Sequence, residues 1–200
     1  GMKKSLLLLG AVALLIAGCG GSSKSSSPST TSGSKAGAGK KIGLVTDIGG
    51  LNDRGFNHLS YVGLQRAGRE LGVQTQVFQA KSPQDYVPNL STFARQGYDL
   101  TIGVGFTEAD AIATAAKSFP NSNFAIVDVD QTTEPGKPKN LLGLLFKEQE
   151  TGYLVGYLAG LEEKRRPGPD VIGSVGGQKQ PPVDRFIAGY QAGAKAADPG

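Results

Sequence analysis

The chain has 200 residues, enough for one or two domains, and its 38% hydrophobic and 19% charged residues are an ordinary globular mixture. The net charge is +4, but Lys3 and Lys4 lie in a leader segment, and the remaining charge of about +2 is too small to indicate binding of nucleic acid. The single Cys excludes a disulfide within the chain, and with a single His it argues against a Cys/His metal site. We therefore expect no cofactor.

Residues 1–18 have the features of an export signal. Lys3 and Lys4 precede an apolar run over 6–16, which is shorter than the roughly 20 residues of a transmembrane helix and typical of a signal-peptide core. The run ends in Ala17-Gly18-Cys19, which resembles the bacterial lipobox, whose cysteine becomes the acylated amino terminus. We predict that residues 1–18 are a signal peptide and that Cys19 anchors the protein on the extracytoplasmic face of the cell membrane. The alternative is an ordinary signal peptide cut elsewhere, with Cys19 incidental.

The segment over 20–39 contains no aromatic and no large aliphatic residue. Such a composition cannot bury enough apolar surface to offset the entropy lost on ordering. We therefore interpret residues 19–39 as a lipidated cysteine followed by a flexible Gly/Ser linker.

From Lys40 onward, strand patterns alternate with helix patterns. Short apolar runs predict strands at 41–46, 73–79, 98–104, 124–129, 141–146 and 171–175. Apolar residues at helical spacing predict helices at 54–71, 86–95, 107–119, 148–161 and 183–197. Because several strand runs are continuously apolar, the predicted fold class is α/β, with a parallel sheet flanked by helices on both faces.

Ligands of parallel sheets bind beyond the carboxyl ends of the strands, so polar residues just after a strand are site candidates. Asp47 follows the first strand, and Asp128 and Asp130 lie at the end of the fourth, where their spacing of two predicts that they share a face. Gly103 and Gly105 resemble the start of a dinucleotide-binding motif, but the place of its third glycine is taken by glutamate. An exported dinucleotide-dependent enzyme is therefore the weaker alternative.

Several segments carry a family resemblance. They are VTDIGGLNDRGFN over 45–57, FAIVD over 124–128, FKEQETGYLVG over 146–156, Gly-Gly at 176–177 and RFIAGY over 185–190. In this order they resemble the basic membrane protein family, which comprises solute-binding lipoproteins of ABC importers, many of them specific for purine nucleosides. The likeness covers residues 40–200.

The resemblance implies a type I periplasmic-binding-protein-like fold with two lobes and a ligand cleft between them. Residues 40–146 would form the first lobe, the strand at 141–146 would cross the hinge, and residues 147–200 would begin a second lobe that is incomplete, because family members continue for well over a hundred residues. The implied function is not enzymatic. It is capture of a nucleoside-like solute and its delivery to an ABC permease, by a monomer. A simple-sugar-binding or sensor lipoprotein of the same fold is the alternative.

Within that frame, four residues are expected to contact the ligand from the first lobe. Asp47 would accept hydrogen bonds from N–H groups of a base, although a turn residue that bonds its own loop is the alternative. Phe56 would stack on the base, although core packing is the alternative. Asn57 offers both a donor and an acceptor, and Asp128 is interpreted as a further hydrogen-bonding group.

Two further site candidates and one structural residue complete the predictions. Gly105 would let the backbone approach a ligand closely, and Phe186 is a candidate from the second lobe. Asp53 is expected to be structural, as the cap of the helix that begins nearby.

Overall fold

The computed structural model of the chain describes residues 34–169 and 171–199. The predicted signal peptide, Cys19 and most of the predicted linker lie outside the described residues. No helix among the described residues is long and apolar enough to cross a membrane.

Strands and helices alternate along the described chain. The strands are β1 (Lys41–Thr46), β2 (Gln74–Gln79), β3 (Leu100–Val104), β4 (Phe124–Val127) and β5 (Leu141–Leu144). The helices are α1 (Phe56–Leu71), α2 (Tyr86–Arg95), α3 (Ala109–Ser118), α4 (Glu148–Glu163) and α5 (Pro181–Ala197). The strands pair in parallel in the order β2-β1-β3-β4-β5. The predicted α/β class with a parallel sheet is confirmed.

The sheet is covered on both faces, because neighbouring residues of a strand point to opposite sides. On β1, Val45 contributes to a buried cluster with Phe93 of α2 and Ile112 of α3, whereas Leu44 packs with Leu64 of α1 on the other face. Each fully buried side chain of this kind stabilises the fold by about 1.5–3 kcal/mol. The sheet is therefore a rigid platform for the loops at its carboxyl edge.

The element boundaries differ from the predictions by a few residues. Helix α1 begins at Phe56 rather than at 54, because the residues before it form a loop, and it ends as predicted at Gly72, whose φ of 76° is left-handed. Residues 34–39, placed in the linker by composition, form a turn in which the Gly37 N–H donates to the Leu71 carbonyl at 2.8 Å. Residues 36–39 thus pack on the folded domain rather than belonging to a flexible linker.

The strand predicted at 171–175 is wrong. These residues belong to no strand or helix, and Val175 is 100% exposed. Backbone N–H and C=O groups of a strand need a neighbouring strand, and none of the five described strands lies beside this segment. An apolar run alone therefore gave a false signal here.

Helices α4 and α5 pack closely through glycines. A Cβ added at Gly156 would collide with the Tyr190 carbonyl oxygen, and one added at Gly193 would collide with the Tyr153 carbonyl oxygen. Only residues without a side chain permit this approach of two helix backbones. The pair follows β5 and places Glu148, the first residue of α4, beside the sheet.

Candidate ligand-binding site

The carboxyl edges of β1 and β3 frame the candidate site. The chain passes from β1 outward to β2 and then returns to β3 on the other side of β1, so the sheet order reverses between β1 and β3. In open parallel sheets, ligands bind at such a switch point, in the crevice outside the strand ends. Asp47 directly follows β1, and Gly105 directly follows β3.

Asp47 connects the two loops of this crevice. Its Oδ1 accepts hydrogen bonds from the Gly49 N–H at 2.8 Å and from the Asn57 side-chain amide, and its Oδ2 accepts from the Thr107 hydroxyl at 3.2 Å. Oδ1 thus makes the contact expected of a turn residue that bonds its own loop, while Oδ2 is hydrogen-bonded to the loop that follows β3. The carboxylate is half-buried and stays accessible at the crevice.

The start of α1 is held by Asp53, as predicted. Its carboxylate accepts hydrogen bonds from the N–H groups of Gly55, Asn57 and His58, each at 2.9 Å. Burial acts in the opposite direction, but these three donors hold the pKa of Asp53 below its ordinary value. The cap fixes the direction in which Phe56 and Asn57 leave the loop.

Phe56 is 44% exposed, so the interpretation of this residue as core packing is wrong. Its ring centroid lies 6.5 Å from that of Phe146, and both rings line a groove of about 700 Å³. Phe186 of α5, which is 38% exposed, lines the same groove. Exposed aromatic rings that line one groove are a suitable surface for a planar ring.

A second, smaller cavity adjoins this groove at Phe56. It has a volume of about 110 Å³, and its lining includes all five site residues predicted from the first lobe: Asp47, Phe56, Asn57, Gly105 and Asp128. The structure therefore brings these five together, and it places Phe186 on the larger groove instead. Their role as ligand contacts stays a prediction.

Gly105 has a φ of 84° and a ψ of 164°, a region that is almost exclusive to glycine. Its N–H donates to the Val127 carbonyl at 3.0 Å, and a Cβ added to it would meet no atom within 4 Å. Glycine is therefore required by the backbone turn, and the space beside it is open.

Asp128 is buried, with 6% of its surface exposed, and it has a left-handed φ of 66°. Burial, followed by the neighbouring Glu148 carboxyl, raises the pKa of Asp128 to about 6. The predicted shared face of Asp128 and Asp130 is wrong, because β4 ends at Val127 and this conformation breaks the strand alternation. Asp130 instead accepts from the Thr132 N–H at 2.9 Å within its own loop.

Sequence reasoning missed Glu108, which is fully buried beneath the site. A Cβ added at Gly103 would lie 2.9 Å from its Oε2, so glycine in β3 makes room for this carboxyl group. Burial raises the pKa of Glu108 to about 9, and the nearby Asp47 charge adds to the effect. One signal was available, because Glu108 shares helical spacing with the apolar Ile112 and Ala115.

Sequence reasoning also missed an ion pair between α4 and α5. Arg185 donates to both carboxylate oxygens of Glu148, at 2.7 and 3.2 Å, and Glu148 is only 3% exposed. The two residues are far apart in sequence, and no spacing rule links them.

Comparisons with known proteins agree on one family. A profile described as ABC transporter substrate-binding protein, PnrA-like, matches residues 40–200. The nucleoside-binding protein BmpA of an ABC transporter from Lactococcus lactis is 38% identical, over 98% of this chain and 54% of its own length. Basic membrane protein A of Borreliella burgdorferi is 30% identical, over 98% of this chain and 53% of its own length. The chain thus spans about half the length of these curated relatives.

Solved structures agree with the fold. The solute-binding protein of an ABC transporter system from Aeropyrum pernix superposes with a TM-score of 0.70 at 30% identity, covering 80% of this chain and 44% of the other. A second such protein, from Conexibacter woesei, gives a TM-score of 0.60 at 29% identity, covering 80% of this chain and 51% of the other. The periplasmic-binding-protein-like fold is therefore shown.

Proposed function

The chain belongs to the family of PnrA-like substrate-binding proteins of ABC transporters, and from this premise we propose that it captures a nucleoside and delivers it to a permease. The family consists of substrate-binding proteins rather than enzymes.

One observation carries the proposal. A cavity lined by hydrogen-bonding groups opens beside a groove lined by exposed aromatic rings, and Phe56 borders both. A nucleoside has the same division, because its base has two apolar faces and a polar edge. Aromatic rings cover such faces, and stacking contributes about 1–3 kcal/mol for each base. The carboxylates of Asp47 and Asp128 can accept from N–H or O–H groups.

The volumes of the groove and of the cavity indicate that each binds a different part of the ligand. Pockets for small molecules usually measure roughly 300–1,000 Å³, and the groove of about 700 Å³ lies within that range. The cavity of about 110 Å³ is too small for a whole nucleoside. We assign the body of the ligand to the groove and only its polar edge to the cavity.

The names of relatives support a nucleoside and a lipid anchor. The Lactococcus lactis relative is named a nucleoside-binding protein. A relative from Pyrococcus horikoshii, 37% identical over 96% of this chain, is named a lipoprotein. Together with the lipobox-like Ala17-Gly18-Cys19, this supports acylation at Cys19 and a position on the extracytoplasmic face of the membrane.

Two substitutions test the roles of the site residues in calorimetric titrations of the full chain in detergent. Phe56→Ala should weaken all nucleosides by a similar factor, about tenfold, because stacking suits any base. Asp47→Ala should weaken them selectively, most for bases whose N–H donors it meets, because a site built for a polar edge rejects analogues that lack it.

The matched control is Val62→Ala, since Val62 is exposed on α1 but lines neither space. It should leave every affinity unchanged. Unchanged affinities in Phe56→Ala would contradict the stacking role and with it the proposed mode of binding.

A further inference from the structure

Asp128 and Glu148 place two buried carboxyl groups against each other at the junction of the sheet and the α4–α5 pair. Asp128 follows β4, while Glu148 is the first residue of α4. They are 6% and 3% exposed, and Arg185 of α5 holds Glu148 with a two-point contact at 2.7 and 3.2 Å. After burial itself, a side-chain hydrogen bond with Glu148 raises the pKa of Asp128, and two carboxyl groups can be hydrogen-bonded to each other only through a proton that they share.

One oxygen of the Asp128 carboxyl is left unpaired by the described residues. Its Oδ1 is buried and has no hydrogen-bond partner among the described residues, and Asp128 lines the small cavity. A buried acceptor without a partner is costly, so such a group usually has a ligand or water to bind. The strained left-handed backbone of Asp128, with a φ of 66°, also indicates that its position is imposed by surrounding contacts.

We propose that Glu148, held by Arg185, is a positioning residue that controls whether the Asp128 carboxyl in the site carries a proton, and that it thereby makes ligand affinity depend on pH. This proposal rests on the proposed function. The contact runs from Arg185 through Glu148 to Asp128, so the two helices that follow the sheet control a group inside the site.

The direction of the effect follows from the charges. Hydrogen bonds from Arg185 hold the pKa of Glu148 below its ordinary value, so Glu148 is the charged partner and Asp128 carries the proton below about pH 6. When Asp128 loses this proton, it becomes a stronger acceptor for a ligand N–H or O–H. Affinity is therefore highest above pH 6 and falls as the pH is lowered.

Other charges surround Asp128 from each neighbouring element. Besides Glu148 and Arg185, they are Asp130 on its own loop, and Asp47 and Asp53 across the cavity. The pKa of Asp53 and that of Asp130 are held below their ordinary value, so both groups stay charged around pH 6. The buried Glu108, with a pKa of about 9, stays neutral in this range. Within this cavity, Asp128 is the group whose pKa burial and the Glu148 carboxyl bring to about 6.

The test is the affinity for inosine, measured by calorimetry on the full chain from pH 5 to pH 8. The unchanged protein should lose affinity severalfold below pH 6. Glu148→Gln removes the opposing charge and offers an amide donor to Asp128, so the midpoint should move to lower pH by a unit or more. Arg185→Gln removes the compensating charge, so the midpoint should move to higher pH.

Opposite shifts of the pH midpoint distinguish a positioning role from a purely structural one. A purely structural role would weaken inosine binding in both variants without moving their pH midpoints apart. If Arg185→Gln does not fold, Arg185→Lys should shift the midpoint in the same direction by less. Glu162→Gln, an exposed residue near the end of α4, is the matched control and should keep the original midpoint. Midpoints that stay equal, or that move in the same direction, overturn the proposal.

Failure of the proposed function would give a different result. If no nucleoside binds at any pH, the Asp128 carboxyl can be titrated directly by carbon NMR in the free protein. Opposite shifts of its pKa in Glu148→Gln and Arg185→Gln would then support the positioning contact, whereas equal values in the two variants would overturn it.

Discussion

Replacing Glu108 by Gln should flatten the dependence of stability on pH. Glu108 is fully buried, and burial raises its pKa from an ordinary 4.5 to about 9. The folded chain therefore holds a proton that the unfolded chain releases above its own pKa, and this contribution to stability is complete below pH 4.5 and is lost as the pH rises toward 9. Since one pKa unit corresponds to about 1.4 kcal/mol, the loss between pH 5 and pH 8 is at most about 4 kcal/mol.

The assay is urea unfolding of the full chain at pH 5, 6, 7 and 8. Glu108→Gln keeps the shape of the side chain but cannot ionise, so its free energy of unfolding should vary less with pH and should exceed that of the unchanged protein at pH 8. Glu70→Gln is the matched control, because Glu70 is exposed on α1 and pairs with Arg66 at 2.8 Å. Parallel pH profiles for Glu108→Gln and the unchanged protein would refute the reasoning.

Further predictions concern packing, backbone and anchoring. Gly156→Ala should destabilise the chain by about 1–3 kcal/mol in urea unfolding, because the added Cβ would collide with the α5 backbone. Gly63→Ala, measured in the same way, should stabilise the chain by up to about 1 kcal/mol, because no atom lies within 4 Å of the added Cβ and alanine favours a helix more than glycine does. Gly105→Ala should cost about 1–3 kcal/mol in the same assay, because of its φ of 84°. Cys19→Ser should leave the protein uncleaved or release it from the membrane fraction, and a processed, lipidated Ser variant in that fraction would disprove the lipobox.

The inner strands of the sheet were predictable because they are largely buried and so appear as mostly apolar runs. The strands predicted at 41–46 and 124–129 are of this kind; the first forms as expected, and the second ends two residues early, at Val127. The run at 171–175 has the same composition but no described strand beside it, and it forms none. The pattern of apolar residues in a segment shows that the segment could be buried, but it does not show whether a neighbouring strand is present to pair with it.

The site was predictable to the extent that topology determines it. Asp47 and Gly105 follow from the rule that parallel strands present their carboxyl ends at one edge, and the structure places both beside one cavity. The contact between Glu148 and Arg185 joins residues 37 positions apart, for which one sequence carries no signal. Asp128 lies beside the cavity as expected, but its left-handed conformation, which ends the strand alternation before Asp130, depends on tertiary contacts that no strand pattern encodes.

Calorimetric titration of the full chain with inosine, guanosine, adenosine, cytidine and ribose tests the central claim most directly. The groove with its exposed aromatic rings should require a base, because the rings have no flat partner in a free sugar. The account predicts that at least one nucleoside binds well above ribose, which should compete poorly. Ribose binding more tightly than every nucleoside would contradict the account and favour a sugar-binding protein of the same fold.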